Sequence, residues 1–271
     1  MQASKWVPPG GTLGRILEET RRRVASLEGA EVGPDRADAL AATPTLAASL
    51  RGRNVAVIAE LKRRSPSKGM LNATLDPARQ AKAFVRGGAA AVSVLTEPTF
   101  FGGSLADLEA IRSTVQVPVL RKDFHIDPLQ LVEARRVFAT AVLLIARALD
   151  QPQLTKLMEF ARRLGLEAVV EVRSEAELAR ALDAGATIVG VNSRDLETLE
   201  VDEQVPERLM PLVPERVIGI WESGVHDVDS VRRAAAAGAD AVLVGSALSR
   251  AADAAAVVSE LSSVPRTGRH G

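Results

Sequence analysis

Residues 167–192 read EAVVEVRSEAELARALDAGATIVGVN, and the plan of most of the chain can be read from this stretch. It opens with a short apolar run, EAVVEV, rich in β-branched valine. A polar step then leads into SEAELARALDAG, whose apolar residues recur at three- and four-residue spacing, before a second apolar run, TIVGVN. That is a strand, a helix and a second strand. Ser174 stands where a helix N-cap belongs, and Gly185 where a helix closes.

The same unit repeats from residue 55 onward. The expected strands are VAVIAE, AAVSVL, PVLRK, AVLLI, EAVVEV, TIVGVN, VIGIWE and AVLVG. Between them lie helices such as DPARQAKAFVRGG, SLADLEAIRSTV, DPLQLVEARRVF, QPQLTKLMEFARRLG and DVDSVRRAAAAG, several opening on Asp or Ser with proline next. Residues 195–215 hold a shorter helix. Eight apolar strands, each covered by a helix, predict a closed (β/α)8 TIM barrel, a fold that runs to about 250 residues as one unit. A doubly wound open sheet is the alternative, but no glycine-rich dinucleotide fingerprint follows the first strand. Residues 1–54 fall outside the repeat as an N-terminal helical extension packing on the barrel. Within it Leu13, Ile16, Leu17, Val24 and Leu27 share one helical stripe, and a short helix or loop reaches to about Leu50. Residues 55–262 form the barrel and 263–271 a flexible tail.

Composition narrows the class of function. The 271 residues carry 34 Lys plus Arg against 34 Asp plus Glu, so nothing favours a polyanion such as nucleic acid, and a small metabolite is the expected partner. There is no cysteine, no apolar run near the ~18 residues of a membrane span, and no apolar leader in MQASKWVPPGG. A soluble, cytoplasmic protein is expected. Apolar residues make up 46% and aromatics only 3%, so the core is built from aliphatic strands and Ala-rich helices.

In such a barrel chemistry sits at the carboxyl ends of the strands. Those ends carry Glu60 and Lys62, Lys122, Glu171, Asn192 and Glu222. Strand parity turns them one way: Leu120 with Lys122, Val169 with Glu171, Gly190 with Asn192 and Ile220 with Glu222 share faces. Any one of these could be an ordinary solvated charge. Together they are harder to dismiss, because a buried charge costs several kcal/mol unless paired or used. A lysine among carboxylates suits general acid work, and a crowded glutamate can acquire the raised pKa a base needs. The last two strand ends differ. ESG at 222–224 and VGSAL at 244–248 place Ser223, Gly224, Gly245 and Ser246 where barrels hold phosphate against backbone N–H groups. Ser65, in RRSPSKG, can close on the same anion, while Arg63, Arg64 and Lys68 read as solvated loop charges.

IAELKRRSPSKG, SVLTEPTFFGGSLADL, PVLRKDFHIDPLQLVEAR, VVEVRSEAELARAL, GVNSRDLETLEVD, ESGV and AVLVGSAL together resemble the indole-3-glycerol-phosphate synthase family of tryptophan biosynthesis, over about residues 10 to 262. The resemblance implies closure of 1-(2-carboxyphenylamino)-1-deoxyribulose 5-phosphate to indole-3-glycerol phosphate, with loss of carbon dioxide and water. It implies neither cofactor nor metal. Lys122 matches the family's general acid, Glu171 an acid–base residue, and Lys62 the lysine that meets the substrate carboxylate. Glu60 and Glu222 match carboxylates that orient these lysines, and Asn192 and Arg194 polar groups near the reacting ring. Ser65, Ser223, Gly224, Gly245 and Ser246 match the phosphate cradle, and Phe101 and Phe124 walls for the anthranilate ring, with a plain core role for either phenylalanine as the alternative. A monomer or weak homo-oligomer is expected.

Two other classes stay open on residues alone. A phosphoribosyl isomerase would share the phosphate end but ordinarily uses an Asp or Cys pair, and a non-catalytic phosphometabolite binder would need neither Lys122 nor Glu171. His226 reads as a loop or early-helix residue, His270 as part of the tail, and His125, where the family carries an apolar residue, as surface or wall. Trp221 replaces a small residue of the family. By parity it faces the helix layer, away from substrate.

Overall fold

The computed structural model describes residues 6–27, 43–67, 69–72 and 75–268. Expectations for Lys68, for His270 and for the middle of the extension fall outside them. The barrel strands are Ala56–Leu61 (β1), Ala91–Leu95 (β4), Val119–Lys122 (β5), Ala141–Ile145 (β6), Glu167–Val172 (β7), Ile188–Asn192 (β8), Ile218–Glu222 (β9) and Ala241–Val244 (β10), closed with β10 against β1. All eight ladders are parallel. Two further strands, Arg64–Ser65 (β2) and Gly69–Met70 (β3), form a small antiparallel hairpin in the loop after β1, which the sequence reading treats as plain loop.

The helices are Gly11–Ala25 (α1), Leu46–Ser49 (α2), Pro77–Arg86 (α3), Pro98–Phe101 (α4), Leu105–Arg112 (α5), Pro128–Arg136 (α6), Gln151–Arg163 (α7), Glu175–Asp183 (α8), Gln204–Leu209 (α9), Val228–Ala236 (α10), Ser246–Arg250 (α11) and Ala254–Leu261 (α12). Asp76, Ser104, Asp127, Asp150, Ser174, Asp227 and Asp253 each accept a first-turn N–H, a cap contributing ~1 kcal/mol. After α8 the chain turns at Gly185 with φ 82°, a conformation that favours glycine. Among the described residues no helix is long and apolar enough to cross a membrane.

Register fixes what faces the barrel axis. Ile58 pairs with Ala91 and Glu60 with Ser93; Ser93 pairs with Leu120, Leu120 with Ala141, Leu143 with Val169, and Glu171 with Gly190. Gly190 pairs with Ile220, Asn192 with Glu222, and Leu243 with both Glu222 and Ile58, so one parity runs round the barrel without a slip. A one-residue slip at any ladder would send its polar strand end outward. The opposite parity holds Arg121 and Trp221, both buried under the helices. Trp221 pairs in register with Val191 and Val242, in the layer where parity puts it.

The extension packs on both ends of the barrel. Leu13, Ile16, Leu17 and Val24 of α1 are buried as the stripe predicts, while Leu27 lies past the helix end and is half-buried. At the mouth, Trp6 Nε1 donates to the Arg147 carbonyl at 3.2 Å, and Gly10 N donates to Glu197 Oε2 at 2.8 Å. At the base, the backbone N–H groups of Leu46 and Ala47 donate to the Glu167 carboxylate. The segment read as a flexible tail is packed as far as Thr267. Val264 is buried, its carbonyl accepts from Val55 N at 2.9 Å, and Arg266 pairs with Asp240. Asp240, at the foot of β10, needs a cation there, and a charge pattern spread over 26 residues gives no local signal of that contact.

Between strand and helix layers lies a buried ion network. Arg121 meets Asp123 at 3.0 Å and Glu133 at 3.2 Å, and donates to Thr96 Oγ1 and the Gln130 carbonyl. Arg23 of α1 reaches the same Asp123 at 2.7 Å. Burial opposes the Asp123 charge, but Arg121 and Arg23 outweigh it and hold this carboxyl well below the ordinary carboxylate range. Removing one partner of such a network leaves an uncompensated buried charge. Arg121→Met is therefore expected to lower unfolding free energy by about 3–5 kcal/mol in urea titrations. Arg22→Ala, which breaks an exposed pair with Glu19, should cost less than ~1 kcal/mol.

Candidate active site

The inward parity brings three acids to one ammonium group. Lys122 Nζ donates to Glu222 and stands 3.8 Å from Glu60 Oε2 and 3.8 Å from Glu171 Oε2. Lys62 Nζ lies 3.4 Å from the other oxygen of Glu60, and Ser93 Oγ is 3.5 Å from Glu60 Oε2. Glu60, Glu171 and Glu222 are all buried. Room for two of them comes from missing side chains. A Cβ on Gly190 would stand 2.1 Å from Glu222 Oε1, and one on Gly245 would stand 2.6 Å from Glu60 Oε1. Both distances are far inside van der Waals contact, so Gly245 does structural work that its expected role at the phosphate end does not include.

The charges settle unequally. Burial opposes the Lys122 charge, but Glu222, Glu60 and Glu171 outweigh it and hold the ammonium pKa well above the usual lysine range. Glu171 moves the other way. Burial and then the neighbouring Glu222 carboxylate push its pKa up to about 8, against the opposing pull of Lys122 and of a hydrogen bond from Asn192. At neutral pH the cluster thus holds a charged lysine and a protonated glutamate side by side. The Lys122 ammonium takes the place between the carboxylates that a metal cation would need, and among the described residues no group of three or more acids or histidines is placed to hold one.

Above this floor opens a cavity of about 480 Å³. Glu60, Lys62, Lys122, Glu171, Asn192 and Arg194 line it, as do Ser65, Phe101, Phe124, Ser223, Gly224, Gly245 and Ser246. Of the residues expected at the site only Glu222 does not line it, because it lies beneath Lys122 with no exposed surface. The rings of Phe101 and Phe124 stand 6.0 Å apart at 35°, and Lys62 Nζ lies 5.8 Å from the centre of the Phe101 ring. Phe101 ends α4, whose first turn is held by the Glu97 carboxylate accepting from the N–H groups of Thr99, Phe100 and Phe101. Across the cavity, Arg194 donates to the Leu199 carbonyl at 2.7 Å.

At the far end Ser223 and Gly224 follow one another at φ 65° and 77°. For serine this conformation costs ~1–2 kcal/mol. The Trp221 indole N–H donates to the Ser223 carbonyl at 3.1 Å and helps to hold it. Trp221 itself is buried in the helix layer and does not line the cavity.

Some contributions go beyond the residues expected at the site. Ile16 of α1 forms part of the cavity wall, with Leu143, Leu196 and Leu243, and Arg250 at the end of α11 adds a cation near Ser246. Leu143 and Leu243 obey the inward parity and could have been found by it; Ile16 depends on how α1 docks, which has no local signal. Arg63, expected to be solvated, is instead held by the Asp107 carboxylate of α5 at 2.9 and 3.2 Å, and donates to the Leu75 carbonyl at 2.6 Å. Arg64 is exposed as expected. His125 is not a surface residue: it is buried, with Nδ1 2.7 Å from the Leu143 carbonyl, and burial followed by Arg121 pushes its pKa down to about 3. His226 is a loop residue, as read, and reaches the cavity rim.

A family model described as indole-3-glycerol phosphate synthase matches residues 13–261. Among curated relatives, the indole-3-glycerol phosphate synthase of Parafrankia sp. is 49% identical over 262 residues, covering 96% of this chain and 95% of that one. Its counterpart in Mycolicibacterium smegmatis is 49% identical over 253 residues, covering 92% and 93%. That of Kineococcus radiotolerans is 54% identical over 209 residues, covering 77% and 76%. Among solved structures, 3-hexulose-6-phosphate synthase from Salmonella typhimurium superposes with a TM-score of 0.63 at 18% identity, covering 77% of this chain and 97% of that one, a likeness of fold alone. With the match running from α1 through α12 and identity near one half over almost the full length, the chain belongs to the indole-3-glycerol phosphate synthase family.

Proposed function

We infer that this chain converts 1-(2-carboxyphenylamino)-1-deoxyribulose 5-phosphate to indole-3-glycerol phosphate, carbon dioxide and water. The observation that carries the chemistry is the Lys122 ammonium, held among three buried carboxylates at the floor of a cavity whose other end is lined by Ser223, Gly224, Gly245 and Ser246. The phosphate lies at that end, with Ser65 closing on it from the hairpin loop. The anthranilate ring lies against Phe101 and Phe124, near Arg194. Its carboxylate meets Lys62, which is already turned toward the cavity by Glu60.

In this geometry Lys122 gives its proton to the ketone oxygen as the ring carbon bearing the carboxylate attacks the ketone carbon. The carboxylates that keep Lys122 charged also resist that transfer, and the proton on Glu171 removes one of the three. Loss of carbon dioxide returns its bonding electrons to the ring and restores aromaticity. Glu171 then protonates the departing hydroxyl, which leaves as water, and the now neutral Lys122 takes the C–H proton whose removal completes the indole. Asn192 orients Glu171, while Glu60 and Glu222 hold the two lysines in place. Every step uses groups already oriented in an apolar cavity and calls on no cofactor or metal. A cytoplasmic location and a monomer or weak homo-oligomer complete the reading, and the balanced charge supports the absence of a nucleic-acid partner.

Incubation with the carboxyphenylamino substrate while indole fluorescence is followed tests the activity directly. Lys122→Met keeps the apolar stem and deletes the donor; it should lower turnover by at least ~10²-fold and change product affinity by less than about tenfold. Turnover within a few fold of the parent would pass the role to Lys62, and a parent protein that binds product without making it would be a phosphometabolite binder.

The Glu171 proton adds a pH signature. This group holds its proton below about pH 8 and loses it above. For a donor, kcat/KM should be level on the acid side and fall as pH rises through about 8. Glu171→Gln should cost ~10²-fold in turnover, and its residual activity should show no such fall.

A further inference from the structure

The reaction read above does not balance in protons within the site. Lys122 regains from carbon the proton it gave to the ketone oxygen. The substrate carboxylate leaves as carbon dioxide, and the hydroxyl leaves as water with the proton of Glu171. One proton must therefore enter from solvent in each turnover, and its destination is the Glu171 carboxylate. Glu171 is only 4% exposed, and in the proposed reaction the cavity above it is the one that substrate and product occupy.

A second cavity, of about 230 Å³, reaches Glu171 from another side. It lies beneath α1 at Leu13 and shares Glu171, Ile145, Arg194 and Leu196 with the substrate cavity. Its volume admits several water molecules at about 30 Å³ each, and its wall is polar enough to hold them. Toward solvent it is bounded by two ion pairs, Arg147 with Glu197 at 2.8 Å and Arg173 with Asp195 at 3.4 Å. All four of these side chains are about one-third exposed, so the outer end is wet.

Glu177, on α8, lines this cavity and not the substrate cavity. One of its oxygens accepts from Arg173 N at 2.7 Å. The charges that face it come from three elements: Arg147 after β6, Arg173 after β7 and Arg180 on α8. Glu177 has no place in the chemistry assigned to the substrate cavity.

We propose that the cavity beneath α1 is the proton entry route of this enzyme, with Glu177 passing a proton through its water to Glu171 while substrate or product still covers the barrel mouth. The balance closes: Glu177 gives up one proton to the ionised Glu171 and regains one from solvent past the Arg147–Glu197 and Arg173–Asp195 pairs. Burial raises the Glu177 pKa, which favours the protonated form a relay needs, although the Arg173 backbone N–H and then the three arginine charges oppose it. The proposal rests on the reading of Glu171 as proton donor.

Glu177→Gln removes the exchangeable proton and keeps the acceptor for Arg173 N. In rapid-quench experiments on enzyme equilibrated at pH 7, the first turnover should proceed at the parental rate, because Glu171 is already loaded. Steady-state turnover in dilute buffer should fall by roughly tenfold, less than the ~10²-fold cost of deleting the donor itself, since protons still arrive slowly when product leaves. Imidazole buffer at increasing concentration should restore it, and Glu177→Asp should recover most of the rate. A steady-state rate equal to the parent's, or a loss present in the first turnover and indifferent to buffer, overturns the route. Glu171→Gln separates the two readings: if its first turnover matches the parent's, it is the donor assignment that fails.

Discussion

An ammonium group that must keep its proton among buried carboxylates sets the terms for the upper half of this barrel. Each contact between Lys122 and an ionised carboxylate contributes on the order of 4 kcal/mol at an effective dielectric of about 20, while burying each ion costs several kcal/mol. The two are comparable, so the cluster is poor material for stability and good material for chemistry. Three acids against one lysine would leave excess negative charge. Lys62 on Glu60 relieves part of it, and a proton on Glu171 relieves more. The neutral form of Glu171 is thus a consequence first of burial and then of crowding by Glu222, rather than a separate device. The same crowding explains why positions 190 and 245 carry no side chain: their space belongs to the oxygens of Glu222 and Glu60.

The extension is bonded into this arrangement rather than laid over it. Arg23 of α1 reaches Asp123, the residue after Lys122, and Asp123 in turn anchors Arg121 in the layer behind the strand. Near the other end of α1, Glu197 accepts from Gly10 N and holds Arg147, while its carbonyl accepts from Thr12 N at 3.0 Å. Glu197 belongs to the β8–α9 loop, which also carries Arg194. One helix therefore fixes the loops after β5, β6 and β8 against each other, and with Ile16 it contributes wall to the substrate cavity. Through Leu13 it also forms part of the wall of the second cavity.

How much of this was legible follows the range of each interaction. Strand, helix and cap signals are local, and the eight barrel strands fall within a residue or two of where the apolar runs put them. Parity is local too, so the inward set at the strand ends, and the outward course of Trp221, could be read before any coordinates. What the sequence concealed is contact between distant segments. Arg63 looks like a loop charge until Asp107 is brought beside it, and Arg121 looks like a strand-end oddity until Glu133 and Asp123 close round it. His125 sits under the cavity rather than at its surface because the Leu143 carbonyl offers it a buried partner. Parity also says only that Glu222 points inward, not that it would lie below the floor, bonded to Lys122 from beneath.

The packed end of the chain has a consequence for how this barrel can be joined to others. Asn54 and Pro265 form an antiparallel bridge, and Arg266 N donates to the Arg53 carbonyl at 2.9 Å, so the entry to the first barrel strand and the exit from the last helix lie side by side at the base. A protein fused after Thr267 would leave from the face opposite the mouth, clear of substrate traffic and of the loops that close over it. The same proximity lets the barrel be reconnected: a short linker from 266 to 53 would make the ring of strands endless, and new ends could open in any base loop. The extension, which packs on both the mouth and the base, would then no longer be the only way into the first strand.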